Sequence, residues 1–190
     1  VLDDALSAVD TGTERTILRN LATVLRERTA VVISHRLSAV AGLDAVYVPI
    51  GCGSGVCGLI AWRDALGLKT QIIGVVSDQA DCYALSFEAG KPVETKSANT
   101  FADGMAVRVP VPAALDIIRA GAERVVRVSD DEVKGAVRYF YSDTHNLIEG
   151  AGAAPFAALL KDRERKGAKF AVIASGGNIA REAYLSALSG

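Results

Sequence analysis

The residues best suited to chemistry lie in one stretch, Pro49-Ile50-Gly51-Cys52-Gly53-Ser54-Gly55-Val56-Cys57-Gly58-Leu59. An apolar run, Asp44 to Val48, precedes it and reads as a buried strand. Val56, Leu59, Ile60 and Arg63 follow at helical spacing, closed by Gly67. A strand, a glycine-rich turn and a helix in that order make an anion site. The glycines let the backbone come close to a phosphate, and the first N–H groups of the helix have no internal partners. Small residues would also suit a merely tight turn, but four glycines exceed what such a turn needs.

Other reactive residue types are scattered. Cys52 and Cys57 read as small packing residues, with a reactive thiolate near the helix start as the alternative for Cys52. Cys52, Cys57 and Cys82 show no C-x-x-C spacing, and only two histidines, His35 and His145, are present. Neither a zinc site nor a disulfide framework is expected, and both histidines read as surface or turn residues. Asp103 reads as a turn cap, and Lys161 to Lys166 as a solvated helix end.

The elements that must position the glycine turn alternate. Val1 to Asp4 reads as a strand end and Ala30 to Ser34 as a strand, with an amphipathic helix over 12–27 between them, opened by a Thr11-x-x-Glu14 capping box. Arg36 to Val40 reads as a helical turn before the strand at Asp44. Beyond the glycine turn, strands are expected at Gln71–Val76, Arg124–Val128 and Phe170–Ala174. Helices are expected at Gln79–Ala89, Pro112–Ala120, after a Ser129-x-x-Glu132 capping box, around Ala153–Leu160, and from the Ser175-Gly176-Gly177-Asn178 turn to about Leu188. Residues 91–110 read as irregular.

This progression predicts an α/β fold: one doubly wound, mostly parallel sheet of about six strands, with helices on both faces in a Rossmann-like three-layer sandwich. The glycine turn should lie at the carboxyl ends of the strands. Half of the residues are hydrophobic but only 6% aromatic, so the core rests on Val, Ile, Leu and Ala, as a covered parallel sheet requires. The 190 residues suit one domain. The net charge of −1 without a basic cluster excludes a nucleic-acid or acidic-membrane partner. Residues 45–62 carry no charge, yet Pro49 and the glycines argue against a membrane span. No signal peptide is read, and a cytoplasmic, soluble chain is expected, monomeric or paired as a homodimer through an exposed sheet edge. The chain opens inside an apolar run without Met, so its beginning looks cut.

From about Leu43 onward the chain resembles the serine/threonine dehydratases, pyridoxal-phosphate enzymes with the tryptophan-synthase-β type of fold. The motifs that carry the resemblance are Gly51-Cys52-Gly53-Ser54-Gly55-Val56-Cys57-Gly58, Phe101-Ala102-Asp103-Gly104, Glu149-Gly150-Ala151-Gly152-Ala153-Ala154 and Ser175-Gly176-Gly177-Asn178. The resemblance implies that Gly51, Cys52, Gly53, Ser54 and Gly55 wrap the cofactor phosphate. It also implies that Ser175 hydrogen-bonds the pyridine nitrogen and that Glu149 lies near the ring. Some relatives bind a metal through a Glu and an Asp after the strand matching 71–76. Asp81 fits one, but Val76 stands where the glutamate is needed, so no metal site is expected.

Residues 1 to about 41 resemble instead the nucleotide-binding domain of an ABC transporter. Leu2-Asp3-Asp4-Ala5-Leu6-Ser7-Ala8-Val9-Asp10 is similar to a Walker B strand end with its D-loop, and Ser34-His35-Arg36-Leu37 to a switch-histidine loop. This P-loop-type piece carries no G-x-x-x-x-G-K-[ST] loop and no Leu-Ser-Gly-Gly-Gln signature, so Asp3, Asp4 and His35 are expected to be relics. The dehydratase-like part has no Ser-x-Lys segment among Lys69, Lys91, Lys96, Lys134, Lys161, Lys166 and Lys169. The two readings together predict a chimera seamed near residue 42, not an enzyme and without catalytic residues. A residual site at Gly51–Gly55 would bind pyridoxal phosphate, phosphate or sulfate weakly, with no tightly held cofactor. Dehydratase activity ranks below these.

Overall fold

The computed structural model describes residues 2–3, 9–10, 12–13, 16–17, 20, 32–33, 42–162 and 168–190. The chain divides into two compact units, Val1–Ala41 and Gly42–Gly190.

In the first unit, strand β1 (Leu2–Asp3) pairs in parallel with β2 (Val32–Ile33), Leu2 opposite Val32. Residues 12, 13, 16, 17 and 20 are helical. The Asp10 carboxylate accepts the N–H groups of Gly12 and Thr13, both at 3.0 Å, and so caps this helical stretch. The Thr13 hydrogen bonds hold its pKa below the ordinary carboxylate value. The Thr11–Glu14 capping box, Asp4, His35 and the turn over 36–40 lie outside the described residues.

The second unit is built on β3 (Ala45–Pro49), β4 (Gln71–Ser77), β5 (Arg124–Val128) and β6 (Phe170–Val172). They form one parallel sheet in the order β5-β4-β3-β6. The two central strands are apolar on both faces, and Val46, Tyr47, Ile72, Ile73, Val75 and Val76 are buried. That is the pattern of strands covered by helices on each side.

Six helices connect and cover the sheet. They are α1 (Ser54–Ala65), α2 (Cys82–Ala89), α3 (Pro112–Gly121), α4 (Asp130–Thr144), α5 (Gly150–Lys161) and α6 (Arg181–Leu188). Their ends follow local chemistry. Gly90 ends α2 in the left-handed region, Pro112 opens α3, and His145 ends α4 at φ 55°. The Ser129–Glu132 capping box forms in full. Glu132 N–H donates to the Ser129 hydroxyl at 3.2 Å, and Ser129 N–H to the Glu132 carboxylate at 2.8 Å.

Chain direction explains the layers. From β3 through β4 to β5 each step moves one strand outward, and α1, α2 and α3 pack together along that path. From β5 the chain returns past β4 and β3 to β6 by way of α4 and α5, and α5 covers β3, β4 and β5. Right-handed crossovers in opposite directions put the two sets on opposite faces. The path therefore reverses between β3 and β6, and a crevice opens beyond their carboxyl ends, where open α/β sheets bind ligands.

The expected α/β class, with parallel strands and helices on both faces, is what the structure shows. Among the described residues, β3 to β6 form one parallel sheet of four, and β1 and β2 pair within the first unit. Apolar runs set where strands form but not which edge they pair with. The last helix begins at Arg181 rather than at the Ser175 turn, because residues 175–180 stay irregular beside β6.

Candidate functional site

The glycine turn follows β3 directly. Ile50 N–H still bonds the Val75 carbonyl at 2.8 Å, which carries the ladder one residue past the strand. The backbone then turns through Gly53 at φ 98°, a left-handed geometry that a side chain resists, and α1 starts at Ser54. A Cβ on Gly53 would stand 2.7 Å from that of Ala114. No side chain caps the helix, and its first bond is from Cys57 N–H to the Gly53 carbonyl at 3.0 Å. The N–H groups of Ser54, Gly55 and Val56 therefore find no acceptor among the described residues. Cys52, Ser54 and Gly55 are exposed, while Gly53 and Val56 are buried behind them. Nothing stands within 4 Å of a Cβ built on Gly55. The turn is a concave set of free donors with open space before it.

A chain of close contacts links it to three other turns. A Cβ on Gly51 would stand 2.4 Å from the Gly104 carbonyl, so the glycine turn touches the Phe101–Gly104 turn. That turn is short: Asp103–Met105 is one 3-10 turn, and Asp103 accepts Gly104 N–H at 2.8 Å, the turn-capping role expected of it. Gly150, at the start of α5, approaches so closely that a Cβ would stand 2.8 Å from the Ala102 Cα. The Ser175–Gly177 turn reaches the same place because β6 lies beside β3, with Ile173 N–H on the Tyr47 carbonyl at 3.0 Å.

Glu149 is the N-cap residue of α5, yet its carboxylate makes no capping bond. Its backbone N–H donates to the Gly176 carbonyl at 3.0 Å, and its Oε1 lies 2.9 Å from where a Cβ on Gly176 would stand. The carboxylate is thus turned from its own helix toward the Ser175–Gly177 turn. The hydroxyl of Ser175 is exposed. The structure therefore brings Glu149 to the Ser175–Gly177 turn, and both lie, with the Gly51–Gly55 turn, past the carboxyl ends of β3 and β6.

Two residues that hold the site carried no sequence signal. Asp130 accepts the Thr100 hydroxyl at 2.6 Å and Phe101 N–H at 2.8 Å, which fixes the Phe101–Gly104 turn. The Tyr83 hydroxyl donates to the Cys52 carbonyl at 2.9 Å.

Other candidates fall elsewhere. The Asp81 carboxylate is paired with Arg127 at 2.8 Å, beside Glu88. Among the described residues no group of three or more His, Cys, Asp or Glu gathers as a metal centre. Burial pushes the Cys82 thiol up to about 11 and also raises Cys57, whereas Cys52 is exposed. A hollow of about 560 Å³, lined by Leu43, Asp44, Lys69 and Thr70 among others, opens at the amino ends of the strands, away from this chemistry. No described helix is long and apolar enough to cross a membrane.

Fold and turns together define a parallel-sheet α/β domain with a glycine-rich turn at its switch point, and a family model agrees with that class. Residues 21–176 match the model described as "Pyridoxal-phosphate dependent enzyme", and the chain belongs to that family. Among curated relatives, it is 28% identical over 137 residues to an L-threonine ammonia-lyase of Thermotoga maritima, covering 72% of this chain and 34% of the relative. It is 34% identical over 132 residues to a phenylserine dehydratase of Ralstonia pickettii, 70% of this chain and 40% of the relative. It is 33% identical over 140 residues to the catabolic L-threonine dehydratase of Escherichia coli K12, 72% of this chain and 43% of that one. Among solved structures, the chain matches the processed form of threonine deaminase isoform 2 of Solanum lycopersicum with a TM-score of 0.75 at 26% identity, covering 80% of this chain and 45% of that one. Maize serine racemase, at 22% identity and a TM-score of 0.72, covers 95% of this chain and 60% of its own, and shares the fold.

The family match spans residue 42, the expected seam. The expectation of a non-enzyme without catalytic function is overturned, because the family and its relatives are enzymes. That expectation leaned on the lack of a Ser-x-Lys segment. The chain spans only 34% to 43% of the three curated relatives, so its lack from these 190 residues says nothing of the protein's activity. Pyridoxal phosphate, expected at most as a weak ligand, is the family's cofactor.

Proposed function

We propose that this chain builds the phosphate-holding side of the active site in a pyridoxal-phosphate-dependent ammonia-lyase for small hydroxy amino acids, threonine or serine. The observation that carries the reading is the glycine turn at the carboxyl end of β3, whose Ser54, Gly55 and Val56 N–H groups find no acceptor among the described residues and face open space at Gly55.

The residues present fit the cofactor. A phosphate needs donors and no side chain in its way, and the turn offers both. The positive end of the α1 dipole favours its charge. Ser175 supports the reading as the partner of the pyridine nitrogen, since its hydroxyl is exposed at the neighbouring turn. Glu149 supports it as the carboxylate beside the ring, since it is not used as a helix cap. When bound, pyridoxal phosphate supplies the electron sink that lets an amino acid lose its α-proton and β-hydroxyl. The buried Ile50 and Val56 close the back of the turn against water, so the donors' partial charges act at lower dielectric. Glu149 Oε1 can accept a proton or a hydrogen bond at the edge of the site. The substrate class follows the dehydratase and ammonia-lyase names of the relatives, which the same fold and motif order support.

The test is to give the protein that carries this chain pyridoxal phosphate and L-threonine or L-serine, and to measure 2-oxo acid and ammonia. Equal release of both, dependent on the cofactor, is expected. Cofactor binding without release from either amino acid contradicts the assignment of substrate.

A further inference from the structure

Behind the glycine turn, out of reach of any phosphate, one side chain fastens it. Tyr83 lies in the first turn of α2 and is only 1% exposed. Its hydroxyl donates to the Cys52 carbonyl at 2.9 Å and accepts Val111 N–H at 3.0 Å. Val111 is the N-cap residue of α3. One oxygen thus ties the cradle to the start of another helix on the same face of the sheet. It also lies 3.2 Å from where a Cβ on Gly53 would stand, directly behind the residue at which the backbone reverses.

The peptide from Cys52 to Gly53 is planar and trans, so its C=O and N–H point in opposite directions. Holding the carbonyl inward on Tyr83 turns the Gly53 N–H outward, next to the free donors of Ser54, Gly55 and Val56. The Gly53 N–H makes no hydrogen bond with any described residue. Burial raises the phenol above its ordinary value of 10.0, so the hydroxyl keeps its proton, and its role as donor, through neutral pH.

We propose that Tyr83 is a positioning residue for the cofactor phosphate: its bond to the Cys52 carbonyl aims the Gly53 N–H into the cradle. The proposal rests on the reading of the Gly51–Gly55 turn as a phosphate site. A phenyl ring alone would fill the same space in α2 but could not orient that peptide.

The probe is 4-deoxypyridoxine 5′-phosphate, which has no aldehyde and so forms no adducts with surface lysines. Its affinity is measured by calorimetry for the parent protein and for Tyr83→Phe. Binding roughly three- to tenfold weaker in the variant is expected, the range of one lost hydrogen bond. The second readout is the Gly53 amide proton by NMR. It should move downfield when the ligand saturates the parent and stay in place in Tyr83→Phe, a signature that a role in packing alone would not produce. Equal affinity and an equal amide shift in both proteins overturn the proposal. If Tyr83→Phe does not fold, the parent decides, and a Gly53 amide unmoved by saturating ligand overturns it. A parent that binds no ligand overturns the cradle reading itself, an outcome distinct from binding that ignores Tyr83.

Discussion

Gly53 is the residue on which the cradle turns. Its φ of 98° and the 2.7 Å approach to Ala114 act together against any side chain. Gly53→Ala should cost about 1–2 kcal/mol for the left-handed backbone alone, with the overlap added. Adding Ala114→Gly should remove the overlap and restore part of the loss but not all of it, as urea denaturation would measure. The thiols divide by the same geometry. Iodoacetamide should label Cys52 first and Cys82 last, because burial pushes Cys82 up to about 11 while Cys52 is exposed. Pyridoxal phosphate in the cradle should slow labelling of Cys52, read by intact mass. At this scale the glycine turn was legible from its spacing after an apolar run and before a helical stripe. Tyr83 and Asp130 were not. Each bonds backbone about thirty residues away, at Cys52 and Phe101, and no local pattern records such a pairing.

Elements were legible where their ends have their own chemistry. The Ser129–Glu132 box, Gly90 and Pro112 each stop or start a helix as read. The start of α6 was not, because the Ser175 turn is spent on the site and the helix waits until Arg181. Ser129→Ala should cost about 1 kcal/mol, measured by urea. Burial alone would raise Glu132, but the hydrogen bonds from Ser129 and Lys161 outweigh it and hold its pKa below 4.5. The unfolded chain therefore takes up the proton first as pH falls. The contribution of Glu132 is full above 4.5 and is lost as pH drops through its lower folded value. The stability difference between the parent and Glu132→Gln should shrink across that acid range and stay flat above it.

For the whole molecule, alternation of apolar runs was enough to give the α/β class and the position of the glycine turn at the carboxyl ends. It could not order the strands, so the pairing β5-β4-β3-β6 is legible only in the structure. Function was less legible, because the chain spans less than half of its curated relatives and the lack of a Ser-x-Lys segment within it does not count against activity. If the cradle is the cofactor site, pyridoxal phosphate should raise the melting temperature of the protein. The gain is about 2.7 kcal/mol at a hundredfold excess over Kd. Inorganic phosphate should compete, and Ser54→Glu, which sets a like charge among the free N–H groups, should abolish the effect.

The most direct measurement is a crystal structure of the protein with pyridoxal phosphate. The account predicts the phosphate about 3 Å from the N–H groups of Ser54, Gly55 and Val56, with the ring between Glu149 and Ser175. A phosphate bound elsewhere, or cofactor present only as an adduct on a surface lysine with the Gly51–Gly55 turn empty, would contradict it.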